Sequence, residues 1–163
     1  MSIKIRRITE KDDKGLAKII RDSLTEHDVP KIGTVYSDPT TDHLFKLFTT
    51  GGSLYYIVEQ DGVLLGGCGV FPTEGLPHGC AELVKLYLSE DSRGKGIGKL
   101  LLEKCFLAAI ELGYTQLYLE SFPSLGKAVS LYLKSGFYHL PSALGNSGHH
   151  ACTIWMIKDL KIA

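Results

Sequence analysis

Apolar residues recur along the chain at two spacings. Through "KGLAKIIRDSL", Leu16, Ile19, Ile20 and Leu24 follow one another at helical intervals, and Thr9 with Asp12 three positions on resembles a capping pattern ahead of them. Before that helix, "IKIRRIT" at 3–9 sets Ile3 and Ile5 between Lys4 and Arg6, an imperfect alternation rich in β-branched residues that predicts a first strand. The segment "TEHDVPKIGTVYSDPTTD" carries neither period and is read as a long loop, followed by a short helix around "TDHLFKLF". "SLYYIV" at 53–58 and "VLLGGCGVF" at 63–71 flank "EQDG" as a hairpin, and "AELVKLYL" at 81–88 adds an antiparallel neighbour after the turn "PTEGLPHG". A long helix stopping near Gly113, a strand "TQLYLES", a helix "LGKAVSLYLKS" and two β-prone segments at 137–140 and 151–157 complete the order β-α-α-β-β-β-α-β-α-β-β.

Length and composition narrow the classes. The 163 residues suffice for one core, so residues 1–163 are read as a single domain, and the 44% hydrophobic, 22% charged composition is that of a globular chain. A formal net charge of zero provides no global field for nucleic acid or an anionic membrane, so any polyanion must be held locally. The N-terminus lacks an apolar core of signal-peptide length, and no stretch reaches the roughly 18–20 apolar residues of a membrane span. The expectation is a cytoplasmic protein. Cys68, Cys80, Cys105 and Cys152 form no C-x-x-C pair, which argues for buried reduced thiols and against zinc or a disulfide framework, and the pair His149-His150 has no further ligand at metal-motif spacing.

"RGKGIG" at 93–98 is the chemically richest stretch. Glycine inside a helix costs about 0.5–1 kcal/mol relative to alanine, so glycines opening an apolar helix need another purpose, and backbone approach to an anion is the natural one. The P-loop pattern fails because Leu100 follows Gly98-Lys99 and Arg93 stands where its first glycine belongs. The dinucleotide fingerprint fails because Lys99 and Leu101 occupy its closing Gly/Ala position and a hairpin meander replaces the βαβ unit. Arg93-x-x-Gly96-x-Gly98, with the preceding strand and the later "AVSLYLKSGF", resembles the acetyl-CoA pyrophosphate loop and the Ala-x-x-Leu-Tyr-x-Lys-x-Gly-Phe pattern of the GNAT acetyltransferase superfamily.

The resemblance implies an α/β (α+β) fold, a mostly antiparallel mixed sheet flanked by helices, using acetyl-CoA as cosubstrate and no metal. It implies that backbone donors of Gly94, Gly96, Ile97 and Gly98, with Arg93 and local charge from Lys95 and Lys99, grip the pyrophosphate. It also implies that the strand at Leu86, Tyr87 and Leu88 splays at a bulge to pair with the pantetheine arm, with Leu88 N–H on the thioester carbonyl. Tyr132 matches the tyrosine that protonates the leaving thiolate, while Leu125 departs from the cofactor-touching asparagine of many relatives. A homodimer is a further family-level expectation.

An attacking amine must be neutral, so a base is required. Glu82 is the candidate: strand alternation puts it on one apolar face with Val84, Leu86 and Leu88, where a carboxylate's pKa rises, and it stands eleven positions before Arg93, a spacing some relatives use for a general base. The alternative for Glu82 is a surface carboxylate at a sheet edge or one paired with lysine. The acceptor amine, on a small molecule or peptide, is expected among "TEHDVPKIGTVYSDPTTDH" and "PSALGNSGHH", which contain His27, Asp28, Tyr36, Asp38, Asp42, His43, His149 and His150. A non-catalytic acyl-CoA sensor is the alternative function, and an NAD-binding fold is the weakest.

Overall fold

The computed structural model describes residues 2–161 and places seven strands in one sheet. These are β1 (Ile3–Arg7), β2 (Leu54–Gln60), β3 (Val63–Phe71), β4 (Cys80–Leu88), β5 (Gln116–Ser121), β6 (Tyr138–Leu140) and β7 (Ile154–Asp159), in the spatial order β1-β2-β3-β4-β5-β7-β6. All pairs are antiparallel except β4 with β5. The helices are α1 (Asp13–Glu26), α2 (Leu44–Leu47), α3 (Ile97–Glu111) and α4 (Gly126–Lys134), so the element order read from the periodicity holds.

Two apolar layers sandwich the sheet. Leu16, Ile20 and Leu24 of α1 are wholly buried against Tyr55 and Ile57 of β2, each contributing roughly 1.5–3 kcal/mol by leaving water. On the other face Leu101, Leu102, Cys105 and Ala109 of α3 pack on Val58, Cys68, Leu83 and Leu117. The sheet is therefore covered on both faces, which is why β2 and β3 are nearly continuous apolar runs.

The differences from expectation are local. β1 ends at Arg7, and Ile8 instead donates its N–H to Tyr55 O at 3.0 Å as the chain turns toward α1. The long loop is not structureless: short 3-10 turns at Val35–Ser37 and Pro39–Asp42 precede an α2 of four residues, because Asp38 accepts from Thr40 N at 2.9 Å and Pro39 begins the turn. β7 starts only at Ile154, leaving 151–153 outside it. Cys68, Cys80 and Cys105 are buried free thiols, but Cys152 is only partly buried and borders the cavity described below, a correction to the expectation of four buried cysteines.

β4 has the irregularity that shapes the molecule. Gly67 pairs with Tyr87 and Gly69 with Val84, so two residues of β4 face one of β3, and Lys85 takes φ 56°. The glycines of β3 make this possible. A Cβ on Gly66 would lie 2.0 Å from Tyr87 O, and Cβ atoms on Gly67 and Gly69 would strike the Tyr55 ring, whose hydroxyl crosses to donate to Lys85 O at 2.8 Å. The bulge reverses the alternation: Glu82, Val84 and Tyr87 lie toward α1, whereas Leu86 and Leu88 turn toward α3. The expectation that Glu82 shares a face with Leu86 and Leu88 is thus corrected by one extra residue.

Candidate active site

β4 and β5 pair only over Cys80–Glu82 and Gln116–Tyr118, and then diverge. Beyond Glu82 the β4 edge is unpaired and faces a cavity of about 790 Å³, walled by the last turn of α1, the 93–99 loop, residues 120–128 and Leu131 and Tyr132 of α4. Ser89 N–H bonds Leu65 O across to β3 at 2.7 Å, so the alternation of an antiparallel ladder turns the peptide groups of Leu88 outward, and Leu88 O accepts from Arg93 Nη2 at 3.1 Å.

The glycine loop has an anion-binding construction. Gly94 and Gly96 lie at φ 77° and 76° with nothing within 4 Å of a notional Cβ, so left-handed backbone, rather than crowding, calls for glycine there. Gly96 precedes α3 without a side-chain cap, and the first helical bond is Leu100 N–H to Gly96 O at 3.3 Å, leaving the N–H groups of Ile97, Gly98 and Lys99 ahead of the ladder. Gly98 lets α3 approach α4: a Cβ there would meet Leu131 Cδ2 at 3.1 Å. Arg93 is tied by Nη1 to Glu26 Oε2 at 2.5 Å, joining the loop to α1.

Of the residues singled out in the sequence, Glu82, Leu86, Tyr87, Leu88, Arg93, Gly94, Gly96, Gly98, Lys99 and Tyr132 all border this one cavity. Lys95 is exposed outside it, and the Ile97 side chain is buried in the core beneath, leaving only its backbone toward the loop. Leu125 borders the cavity with an apolar side chain. Among the acceptor-loop residues, His27 and His149 line it, His150 lines an adjoining cavity of about 320 Å³, and Asp42 is taken up by Arg21.

Glu82 is neither at a sheet edge nor on the surface: it is 4% exposed, on a central strand, and its Oε1 accepts from Thr73 Oγ1 at 2.6 Å. Burial pushes its carboxyl up to about 7; the Thr73 bond pulls back, Glu120 adds repulsion, and His149 and Lys85 oppose it. Tyr132 is 8% exposed, packed edge-on against Phe137, and its hydroxyl makes no hydrogen bond among the described residues. Burial raises that phenol well above its ordinary value, so it keeps its proton at neutral pH.

Sequence reasoning missed four contributors. Thr73 sits in a turn whose pattern speaks only through its glycines and prolines; Tyr55 has the pattern of an ordinary strand residue; Glu120, on the same face as Glu82, accepts from Tyr118 and Ser147; and Lys85 owes its placement to the bulge. The three glycines of "LGGCG" and the positive-φ lysine opposite them depend on pairing between strands, which no local spacing announces.

The sheet splits beside a glycine loop at the head of α3, the arrangement that the resemblance of residues 93–98 implies. The profile of the Acetyltransferase (GNAT) family matches residues 19–137, and the chain belongs to that family. The Escherichia coli (strain K12) protein "Uncharacterized N-acetyltransferase YjgM" is 34% identical over 157 residues, 96% of this chain and 94% of that one. The fold is shared with an acetyltransferase of the GNAT family from Staphylococcus aureus Mu50, at a TM-score of 0.83 and 18% identity over 98% of this chain and all of that one. It is shared also with yncA of Salmonella typhimurium, solved with acetyl-CoA, at a TM-score of 0.78 and 17% identity over 100% of this chain and 96% of that one.

Proposed function

We propose that the protein transfers the acetyl group of acetyl-CoA directly to the primary amine of a small molecule or peptide, with Glu82 as general base and Tyr132 as general acid. Acetyl-CoA supplies the activated acyl carbon; the chain supplies the placement and the protons. Backbone donors of the 94–99 loop and the α3 N-terminus hold the diphosphate, and the outward N–H of Leu88 serves the thioester carbonyl oxygen. Glu82 takes one proton from the acceptor ammonium, and the neutral nitrogen forms the new C–N bond. As the C–S bond breaks, Tyr132 donates its proton to sulfur; the acetylated nitrogen sheds its second proton, which restores the Tyr132 phenol, and Glu82 releases its own to solvent.

The observation that carries this reading is Glu82 itself: a buried carboxyl at the fork, facing the cavity, with one oxygen fixed by Thr73 and a pKa of about 7. The test is CoA release over a panel of amines. Tyr132→Phe is expected to lower kcat by roughly 10²-fold, the lower end for a lost general acid, while acetyl-CoA binding and thermal stability hold, since the hydroxyl makes no hydrogen bond among the described residues. Tight acetyl-CoA binding with no turnover of any amine, unchanged by Tyr132→Phe, would establish a sensor instead.

A further inference from the structure

The polar atoms at the acceptor end of the cavity can be followed one by one. Asp38 is fully engaged: Oδ2 faces His149 Nε2 at 3.1 Å, and Oδ1 accepts from Thr40 N and Oγ1 at 2.9 and 2.7 Å. Glu120 is engaged as well, with Oε2 accepting from Tyr118 at 2.7 Å and Oε1 from Ser147 at 2.5 Å. Glu82 commits only Oε1, to Thr73. Lys85 lines the same cavity, and its Nζ makes no hydrogen bond and no contact ion pair among the described residues. The carboxylates of Asp38 and Glu82 act on its ammonium electrostatically.

Lys85 also holds φ 56°, a left-handed conformation in which glycine would be unstrained, and its carbonyl is pinned there by Tyr55. The fold thus keeps a long cationic side chain where backbone alone favours glycine, at a cavity where no described residue places an anion in contact with it. Burial pulls the ammonium below its ordinary value, so a contact anion would relieve it.

Resting on the acetyltransferase reading above, we infer that the acceptor is a small amine that also carries a carboxylate, as a free amino acid does: its nitrogen meets Glu82 and its carboxylate is held by Lys85. The two side chains are three residues apart on one strand and line the same cavity, so the acceptor's two groups lie close together. A peptide N-terminus, whose nearest carbonyl is an amide, lacks the anion. A polyamine would set a second ammonium against Lys85, with Asp38 and Glu120 already occupied.

The experiment compares free amino acids with their methyl esters, their decarboxylated amines and dipeptides, reading CoA release. kcat/KM is expected to be about 10–100-fold higher for the free acid, the range for a hydrogen bond to a charged group. Lys85→Met, which leaves a Cβ and hence the same backbone strain, is expected to bring that ratio close to one with acetyl-CoA affinity unchanged, and Lys85→Arg to retain part of it. Equal turnover of acid and ester, a ratio that survives Lys85→Met, or no turnover of any free acid overturns the inference. The acid-to-ester ratio of the unaltered protein decides the matter even if a variant folds poorly. Absence of acetyl-CoA binding by calorimetry strikes instead at the acetyltransferase reading.

Discussion

Glu82 brings stability and reactivity into opposition at a single carboxyl. Its value of about 7 in the folded chain, against an ordinary 4.5, means that the protonated form favours folding; this stabilisation is fully present below pH 4.5 and is lost as pH rises through 7. Activity runs the other way, because only the carboxylate accepts a proton, so kcat/KM is expected to climb through about pH 7. Glu82→Gln removes both dependences. It is expected to lose about 10²–10⁴-fold in kcat/KM above pH 7. It is also expected to unfold at a higher temperature than the parent at pH 8 but at a similar one at pH 4, a gap on the order of 1–3 kcal/mol. Calorimetric melts at the two pH values check the second outcome, and an unaltered gap between them would show that the carboxyl is not held in its neutral form by burial.

At the level of elements, the 93–98 loop and the β3–β4 pair use glycine for different reasons. At Gly96 the demand is conformational, so Gly96→Ala is expected to destabilise the protein by about 1–2 kcal/mol through backbone strain, and to weaken acetyl-CoA binding as the loop shifts. Urea midpoints with and without the cosubstrate check it. Gly98 differs, since its φ is ordinary and its Cβ would press on Leu131, so the response to Gly98→Ala falls on the α3–α4 contact instead. The element order and the glycine loop were legible because each is written in local spacing: period two for strands, period three to four for helices, and glycine at a helix start. The bulge was not, because Lys85 alternates normally with its sequence neighbours; only the crossing of Tyr55 over Gly67 and Gly69 reveals why the strand must slip there. Glu82 was found through a false premise about its face companions, and its burial and its place at the cavity come from the splitting of β4 and β5.

For the molecule as a whole, three residue pairs join the β1–β4 half of the sheet to the β5–β7–β6 half along the strands, with helices and loops completing the connection. Contacts such as Glu26 with Arg93 and Asp38 with His149 span the cavity mouth from the α1 side. A cosubstrate lying in the fork touches both halves. Acetyl-CoA at a hundredfold excess over its Kd is therefore expected to stabilise the protein by about 2.7 kcal/mol and to slow amide hydrogen exchange both in 83–88 and in 119–128. Protection confined to one half would mean that the ligand does not lie between the strands.

Exposed strand edges are ordinarily where one molecule adheres to another, and proteins defend them with charge, proline or a covering helix. The stretch of β4 past Glu82 is hemmed in by the last turn of α1 and by residues 121–128, so a neighbour's sheet has no room to slide alongside. The walls that shape the cavity thereby also shield this edge from other copies of the chain.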